Sequence, residues 1–119
     1  MKRSFTKHPV LASRAVANQN TVISQFSFDF IYDGSYNEHK IEMIVNQVIE
    51  DKLGYEVNGI DFHSVDYSTV PDYADSDVCQ CSVDFNHPDD YKDRIITTEI
   101  EDKMNAAGYE VIGSDFYAM

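Results

Sequence analysis

Residues 54–62 read GYEVNGIDF, and residues 108–116 read GYEVIGSDF, the same nine-residue pattern with two changes. Upstream of each copy, residues 27–30 read SFDF and residues 82–85 read SVDF. The two matches keep one order and nearly one spacing, 54 and 55 residues. Each copy of an internal repeat is one structural unit, so repeats constrain the topology before any single element does. The sequence therefore predicts two copies of one supersecondary unit.

A further similarity breaks this spacing, because IEDK at residues 49–52 recurs at residues 100–103, an offset of only 51. The slip of three to four residues is about one helical turn, so the same helix face could remain inward in both copies. We use the offset of 54–55 to align the structures of the two copies.

Each copy has the pattern of a strand, a helix and a strand. In the first copy, Val22 to Tyr32 carries aromatic residues at every second position, which is typical of a strand with one buried face. From about Tyr36 to Leu53 the apolar residues follow helical spacing, and Gly54 is expected to end the helix as a C′ glycine. The apolar positions of this helix are Ile41, Ile44, Val45, Val48, Ile49 and Leu53.

The second copy repeats this arrangement. Residues 78–85 form the predicted strand, Pro88 lies where a helix is expected to start, and Gly108 is expected to end that helix. Gly59 and Gly113 fall where the inward phase of each following strand changes, which predicts a β-bulge in both copies. The predicted buried stripe of the second helix is Ile96, Ile100, Met104 and Ala107.

Two βαβ units in tandem predict an α+β fold of the ferredoxin-like type, (βαβ)×2, with a four-stranded sheet and two helices on one face. One unit cannot cover its own helix and sheet, and the second copy completes the core. Residues 1–20 are predicted to be a basic N-terminal arm, and residues 21–119 a single duplicated domain with repeats at about 21–67 and 77–119. A swapped dimer of the two halves is the main architectural alternative.

Charge is distributed unevenly along the chain. Residues 1–20 hold four basic residues and no acid, whereas residues 21–119 hold all 21 acids against five basic residues, so the charges are +4 and −16. Such a body repels nucleic acid and anionic membranes and attracts basic surfaces. No stretch approaches the ~18 apolar residues of a membrane-spanning helix. We therefore expect a cytoplasmic protein that binds neither nucleic acid directly nor a membrane.

The side of the sheet that the helices leave open is predicted to carry Asp29 and Asp84 on neighbouring central strands, close together and exposed. Proteins of this topology that bind RNA place stacking aromatics and basic residues there, whereas this chain has acids and amides. The functional interpretation is a contact surface for a basic partner. The alternative is a solvated sheet face without a binding role.

The segment between the two copies is also acidic. Asp72, Asp75 and Asp77 lie within six residues of one another, and Asp61 and Asp66 precede them. The spacing lacks the glycine and the terminal glutamate of an EF-hand loop, so we expect an acidic turn and no metal site. Exposed tyrosines beside carboxylates, such as Tyr73, suit a protein interface, although packing at the sheet edge accounts for them equally well.

No residue pattern indicates catalysis. Cys79 and Cys81 have a C-x-C spacing that is not typical of zinc sites, and they align with core positions, so we expect free, buried thiols that do not join His63 and His87 around zinc. None of the four histidines has a partner pattern for nucleophilic or acid–base work, and no phosphate loop is present. Acylphosphatases share the predicted topology, but their arginine-bearing phosphate loop has no counterpart between Tyr32 and Tyr36. We expect that this protein is not an enzyme and that it has no catalytic residue, bound metal or cofactor.

These observations favour a non-enzymatic acidic protein that docks on a basic surface of a protein partner. Its most specific form is a nucleic-acid mimic that inhibits a nucleic-acid-binding protein. Anti-CRISPR and anti-restriction proteins of phages and mobile elements are similar in size and charge, a likeness of composition alone. The alternatives are a small-molecule or divalent-metal regulatory module with pseudo-symmetric pockets, and an obligate oligomer, such as a homodimer, with a structural role. The predicted partner-binding residues are Asp29, Asp84, Asp61, Asp66, Asp72, Asp75, Asp77 and Tyr73.

Overall fold

Both halves of the chain form a strand, a helix and a strand, in the predicted order. The computed structural model describes residues 21–88 and 92–118, and the predicted basic arm, residues 1–20, lies outside them. A single 3₁₀ turn, Pro71–Tyr73, lies between the second and third strands. The elements are β1 (Thr21–Tyr32), α1 (Glu38–Asn46) with a π-helical turn (Gln47–Lys52), β2 (Glu56–Val65), β3 (Asp77–Pro88), α2 (Asp93–Ala106) and β4 (Glu110–Ala118).

The four strands form one sheet in the order β2-β3-β1-β4. The first strand of each copy is central, and all three neighbouring pairs are antiparallel. This arrangement confirms the ferredoxin-like fold, with the two helices on one side of the sheet. None of the helices described is long and apolar enough to cross a membrane.

The core lies between the helices and one face of β1 and β3. Alternation along β1 turns Phe26, Phe28 and Phe30 inward, and each is buried to 1% exposure or less. The helix residues that meet them are related by the repeat, since Ile41, Val45 and Ile49 plus 55 give Ile96, Ile100 and Met104, and all six are fully buried. The predicted alignment of the copies at an offset of 54–55 is therefore confirmed, and the match at an offset of 51 does not describe the packing.

The two helical segments differ by one residue, and the π-helical turn absorbs the difference. From Glu38 to Gly54 the first copy has one residue more than the second has from Asp93 to Gly108. The backbone N–H of Leu53 donates to the carbonyl of Val48, five residues earlier, which is the hydrogen bond of a π-helix. The extra residue thus bulges out of the helix, and the repeat offset changes from 55 to 54 without rotating the core residues.

Both predicted C′ glycines adopt the left-handed conformation, with φ of +75° at Gly54 and +96° at Gly108. Bulges are also present in both copies, because Asn58 and Ile112 are skipped in the pairing registers of β2 and β4. One expectation was wrong. Pro88 is the last residue of β3, paired with Thr21, and α2 begins only at Asp93.

Candidate binding site on the open face of the sheet

The two copies meet on the open face, which we define as the side of the sheet opposite the helices. Ser27 of β1 lies opposite Ser82 of β3, and their hydroxyl oxygens are 3.1 Å apart. These serines are equivalent in the repeat, at an offset of 55. Antiparallel neighbours run in opposite directions, so equivalent residues can face each other only where a two-fold axis passes through the sheet. The Ser27–Ser82 pair marks that pseudo-two-fold axis.

Two amide–carboxylate pairs flank the serines symmetrically. The Nε2 of Gln25 donates to Oδ1 of Asp84 at 3.0 Å, and the Nε2 of Gln80 donates to Oδ1 of Asp29 at 2.9 Å. These bonds hold each carboxylate in place from the neighbouring strand. An amide is uncharged, so each bond restricts the orientation of the carboxylate without placing a positive charge beside it.

Asp29 and Asp84 are therefore not close together, contrary to the prediction. Asp29 lies opposite Gln80, and Asp84 lies opposite Gln25, four residues away along the ladder. At about 3.4 Å per residue this places the two carboxylates on the order of 14 Å apart. Both are half-buried, whereas the sequence placed them on an exposed surface.

The outer strands add two exposed aspartates in the row of the serines. Asp61 of β2 lies opposite Ser82, and Asp115 of β4 lies opposite Ser27. We call Asp29, Asp61, Asp84 and Asp115 the four-aspartate frame. From strand spacing and rise, the frame is a rectangle of about 8 by 12 Å centred on the serine pair. Asp115 was missed in the sequence, although it is the repeat equivalent of Asp61 and that relation could have identified it.

Basic side chains are confined to one layer of the molecule, whereas acidic side chains occur in both. Within residues 21–88 and 92–118, each lysine and arginine lies in a helical segment or directly before one: Lys40, Lys52, Lys92, Arg94 and Lys103. The ion pair between Lys52 and Glu99, with a nitrogen–oxygen distance of 3.0 Å, also belongs to the helix layer. The open face holds the four-aspartate frame together with Glu56 and Glu110, and the described strands contribute no lysine or arginine to it.

The β2–β3 loop leans over one half of the open face. The hydroxyl of Tyr67 donates to Oδ2 of Asp29, on a strand two positions away in the sheet. This hydrogen bond, followed by burial, raises the pKa of Tyr67 to about 12. Beside it is an open cleft of about 210 Å³ whose polar lining includes Ser27, Asp115 and Tyr117. The cleft thus lies on the half of the open face that carries Asp29.

The other predicted contact residues lie in or beside this loop. The ring of Tyr73 packs edge-on against Tyr67, with centroids 5.9 Å apart. Asp66 is exposed, and hydrogen bonds from the side chain and backbone of Ser68 lower its pKa. Asp72 and Asp75 are exposed in the loop, and Asp77 is exposed at the start of β3, opposite Tyr32. The structure brings Asp29, Asp61 and Asp84 onto one face. Asp66, Asp72 and Asp75 lie in the β2–β3 loop, and Asp77, which alternates with Cys79, lies on the helix side of β3.

The residues considered for zinc lie on opposite sides of the sheet. Cys79, Cys81 and His87 face the core, whereas His63 is on the open face, opposite Gln80. Both cysteines are free and buried, and burial raises the pKa of each thiol. Nowhere among the described residues are three His, Cys, Asp or Glu side chains grouped so that they could hold a metal ion.

His87 has a partner that the sequence did not reveal. Its Nε2 lies 2.6 Å from Oγ of Ser24, and its Nδ1 contacts the carbonyl oxygen of Pro88. A carbonyl only accepts, so Nδ1 carries the proton and the Ser24 hydroxyl donates to Nε2 when the ring is neutral. A serine beside a histidine is the arrangement of an activated nucleophile. Here, however, the exposures are 5% for Ser24 and 2% for His87, so a substrate has no access to the pair.

Comparison with known proteins yields a fold and no family. No family model and no curated protein matches the chain. The 30S ribosomal protein S6 of Thermotoga maritima is similar in structure, with a TM-score of 0.52 and 12% identity over 83% of this chain and 88% of that chain. An unknown protein from Galdieria sulphuraria is similar with a TM-score of 0.50 and 13% identity over 84% of this chain. This chain spans half the length of that protein. The likeness to S6 supports the ferredoxin-like classification.

Proposed function

We propose that this protein binds a basic surface of a protein partner through the open face of its sheet, without catalysing a reaction. The observation that carries the proposal is that the open face has carboxylates and, among the described residues, no lysine or arginine. Six carboxylates lie on the open face and, within the described residues, every lysine and arginine belongs to the helix layer. A face with one sign of charge attracts a partner of the other sign and excludes partners of its own sign.

The geometry of the four-aspartate frame supports a patterned contact. Gln25 and Gln80 hold Asp84 and Asp29 in fixed orientations, so these carboxylates lose little conformational freedom when a partner binds. The sides of the frame, about 8 and 12 Å, are comparable with the screening length of about 8 Å at physiological salt. The attractions that neighbouring carboxylates exert on a cation therefore add, and a partner that presents cations at similar spacing binds most tightly.

In its most specific form, the proposal is that the protein mimics nucleic acid and inhibits a partner that binds nucleic acid. The support is the net charge of −16 that residues 21–119 carry, together with the six carboxylates that the sheet presents on its open face. A mimic must compete with nucleic acid for one site, and its affinity must fall as salt rises. Capture of the partner from the native host, followed by competition with duplex DNA and RNA at several salt concentrations, tests this form. Binding that persists unchanged with saturating nucleic acid would exclude mimicry and leave the broader proposal standing.

The broader proposal is tested with two matched double variants. Asp61→Asn with Asp115→Asn removes two charges from the open face, and Asp51→Asn with Asp102→Asn removes two exposed charges from the helix layer. The probe is a fluorescein-labelled nona-arginine peptide at low ionic strength. We expect the open-face variant to bind about 2- to 30-fold more weakly, since each exposed charge contact contributes about 0.2–1 kcal/mol. The helix-layer variant should stay close to the wild type, and equal losses in both variants would refute the open face as the binding site.

The cleft beside Tyr67 favours one alternative, a small cationic molecule held between Asp29 and Asp115. Its lining is polar, and its volume of about 210 Å³ suits a ligand of a few heavy atoms. A regulatory module of this kind would be stabilised by its ligand in a thermal-shift assay. A panel of amines and divalent cations that leaves the melting temperature unchanged would remove this alternative.

A further inference from the structure

The open face has a candidate occupant within its own chain. Residues 1–20 contain Lys2, Arg3, Lys7 and Arg14 and no acid, a formal charge of +4. This charge is opposite to that of the open face, and the segment leads directly into β1, one of the two central strands. Charge complementarity and covalent connection therefore both favour contact between residues 1–20 and the sheet.

The length of the segment is sufficient for that contact. Thr21 begins β1, and Ser27 at the centre of the four-aspartate frame lies six residues further along, about 20 Å away. An extended chain spans about 3.3 Å per residue. The seven residues from Arg14 to Thr21 thus reach about 23 Å, and the fourteen residues from Lys7 reach about 46 Å, by the same measure. Both side chains can meet the frame without any change in the sheet.

We infer that residues 1–20 occupy the open face of their own chain and compete with the basic partner for it. This inference rests on the proposed function, since it assigns an internal competitor to the same site. A tethered segment has an effective concentration on the order of millimolar, so even a weak contact fills the site for much of the time. The partner then binds with an affinity reduced by the fraction of molecules in which the face is free.

The test compares two variants of the full chain with equal net charge. The arm variant carries Lys2→Gln, Arg3→Gln, Lys7→Gln and Arg14→Gln. The helix-layer variant carries Lys40→Gln, Lys92→Gln, Arg94→Gln and Lys103→Gln, and it leaves Lys52 with Glu99. Each variant loses four positive charges, so a difference between them reports where the charge was. The probe is again the labelled nona-arginine peptide at low ionic strength.

We expect the arm variant to bind the peptide at least about fivefold more tightly than the helix-layer variant, the lower end of typical coupling between sites. Equal affinities of the two variants, both above that of the wild type, would mean that only net charge matters and would overturn the inference. Failure of all three proteins to bind the peptide would refute the proposed function itself. The two failures are therefore distinguishable.

A second measurement locates the contact. Backbone amide NMR signals of Ser27, Asp29 and Asp115 should differ between the wild type and the arm variant, and those of the α2 residues should not. These differences should disappear at high salt and be independent of protein concentration. Differences that grow with concentration would assign the occupant to a second copy of the chain, which would overturn the intrachain inference.

Discussion

The hydroxyl oxygen of Tyr109 accepts a hydrogen bond from the backbone N–H of Asn37, the residue that caps α1, at 3.0 Å. Tyr55 makes the equivalent contact with the backbone N–H of Lys92, which precedes α2, at 3.3 Å. Asn37 and Lys92 are repeat equivalents, 55 residues apart. The first N–H groups of a helix have no partner within it. Each copy therefore supplies a hydrogen-bond acceptor to the helix start of the other copy.

Removing either hydroxyl should lower stability. We expect Tyr109→Phe to reduce the free energy of unfolding by about 0.5–1.5 kcal/mol, the net contribution of one hydrogen bond, and Tyr55→Phe to cost less because its bond is longer. Urea denaturation followed by circular dichroism measures both effects. Tyr117→Phe is the control, since this exposed tyrosine makes only a 3.4 Å contact with Asp115 and should change stability by less than about 0.5 kcal/mol. A loss as large in the control would contradict the capping role.

The two glycine positions Gly108 and Gly113 should respond differently to alanine. Gly108 has φ of +96°, and an added Cβ would meet no atom within 4 Å, so the cost is conformational and not steric. We expect Gly108→Ala to lose about 1 kcal/mol of stability. Gly113 lacks a positive φ, and its added Cβ would lie 4.0 Å from the Tyr67 hydroxyl, an ordinary contact. Thermal unfolding should show a lower melting temperature for the first variant alone.

The contact between Tyr67 and Asp29 should be visible in the titration of the phenol. The pKa of Tyr67 in the folded protein is about 12, above its ordinary value of 10.0, because Asp29 accepts its proton in a hydrogen bond and because the phenol is partly buried. The stabilisation from this contact is therefore fully present below pH 10.0 and is lost as the pH rises through about 12. NMR of ring-labelled tyrosine should show the pKa of Tyr67 falling towards 10.0 in Asp29→Asn. Asp115→Asn is the matched control from the same cleft, and an equal fall there would contradict the assignment.

The two cysteines should be unreactive in the folded protein. Burial raises the pKa of both thiols, that of Cys81 well above its ordinary value, and the thiolate is the reactive form. A chromogenic disulfide reagent at mildly alkaline pH should modify neither thiol natively and both in concentrated urea. Rapid modification of one thiol without denaturant would show that the strand bearing it opens readily.

The topology could be predicted from the repeat because two βαβ units have few ways of covering one another's apolar faces. Alternation then assigned Phe26 and Asp29 to opposite faces correctly. Alternation does not specify the register between strands. Asp29 and Asp84 are equivalent in the repeat, yet an antiparallel ladder brings equivalents together only at its axis, and that axis passes between Ser27 and Ser82. No local signal in β1 or β3 marks the position of the axis.

Of two other features, one could be predicted from the sequence and the other could not. The change of the repeat offset from 55 to 54 is visible in the sequence. It corresponds to the π-helical turn, since one inserted residue in a helix must be accommodated somewhere. The contact of Tyr67 with Asp29 could not be predicted from the sequence, because it depends on how an eleven-residue loop, 66–76, folds back over the sheet. Periodic patterns determine which way regular elements face, whereas loops follow contacts formed only in the complete structure.

The reciprocal tyrosine caps have a consequence for the origin of the fold. A chain of half this length would contain both a helix start that lacks its acceptor and a tyrosine that provides one. Two such chains could satisfy each other in an isologous dimer about the axis now marked by Ser27 and Ser82. Joining them end to end would replace an association that weakens on dilution with an intramolecular one that does not. Once joined, the halves were free to diverge.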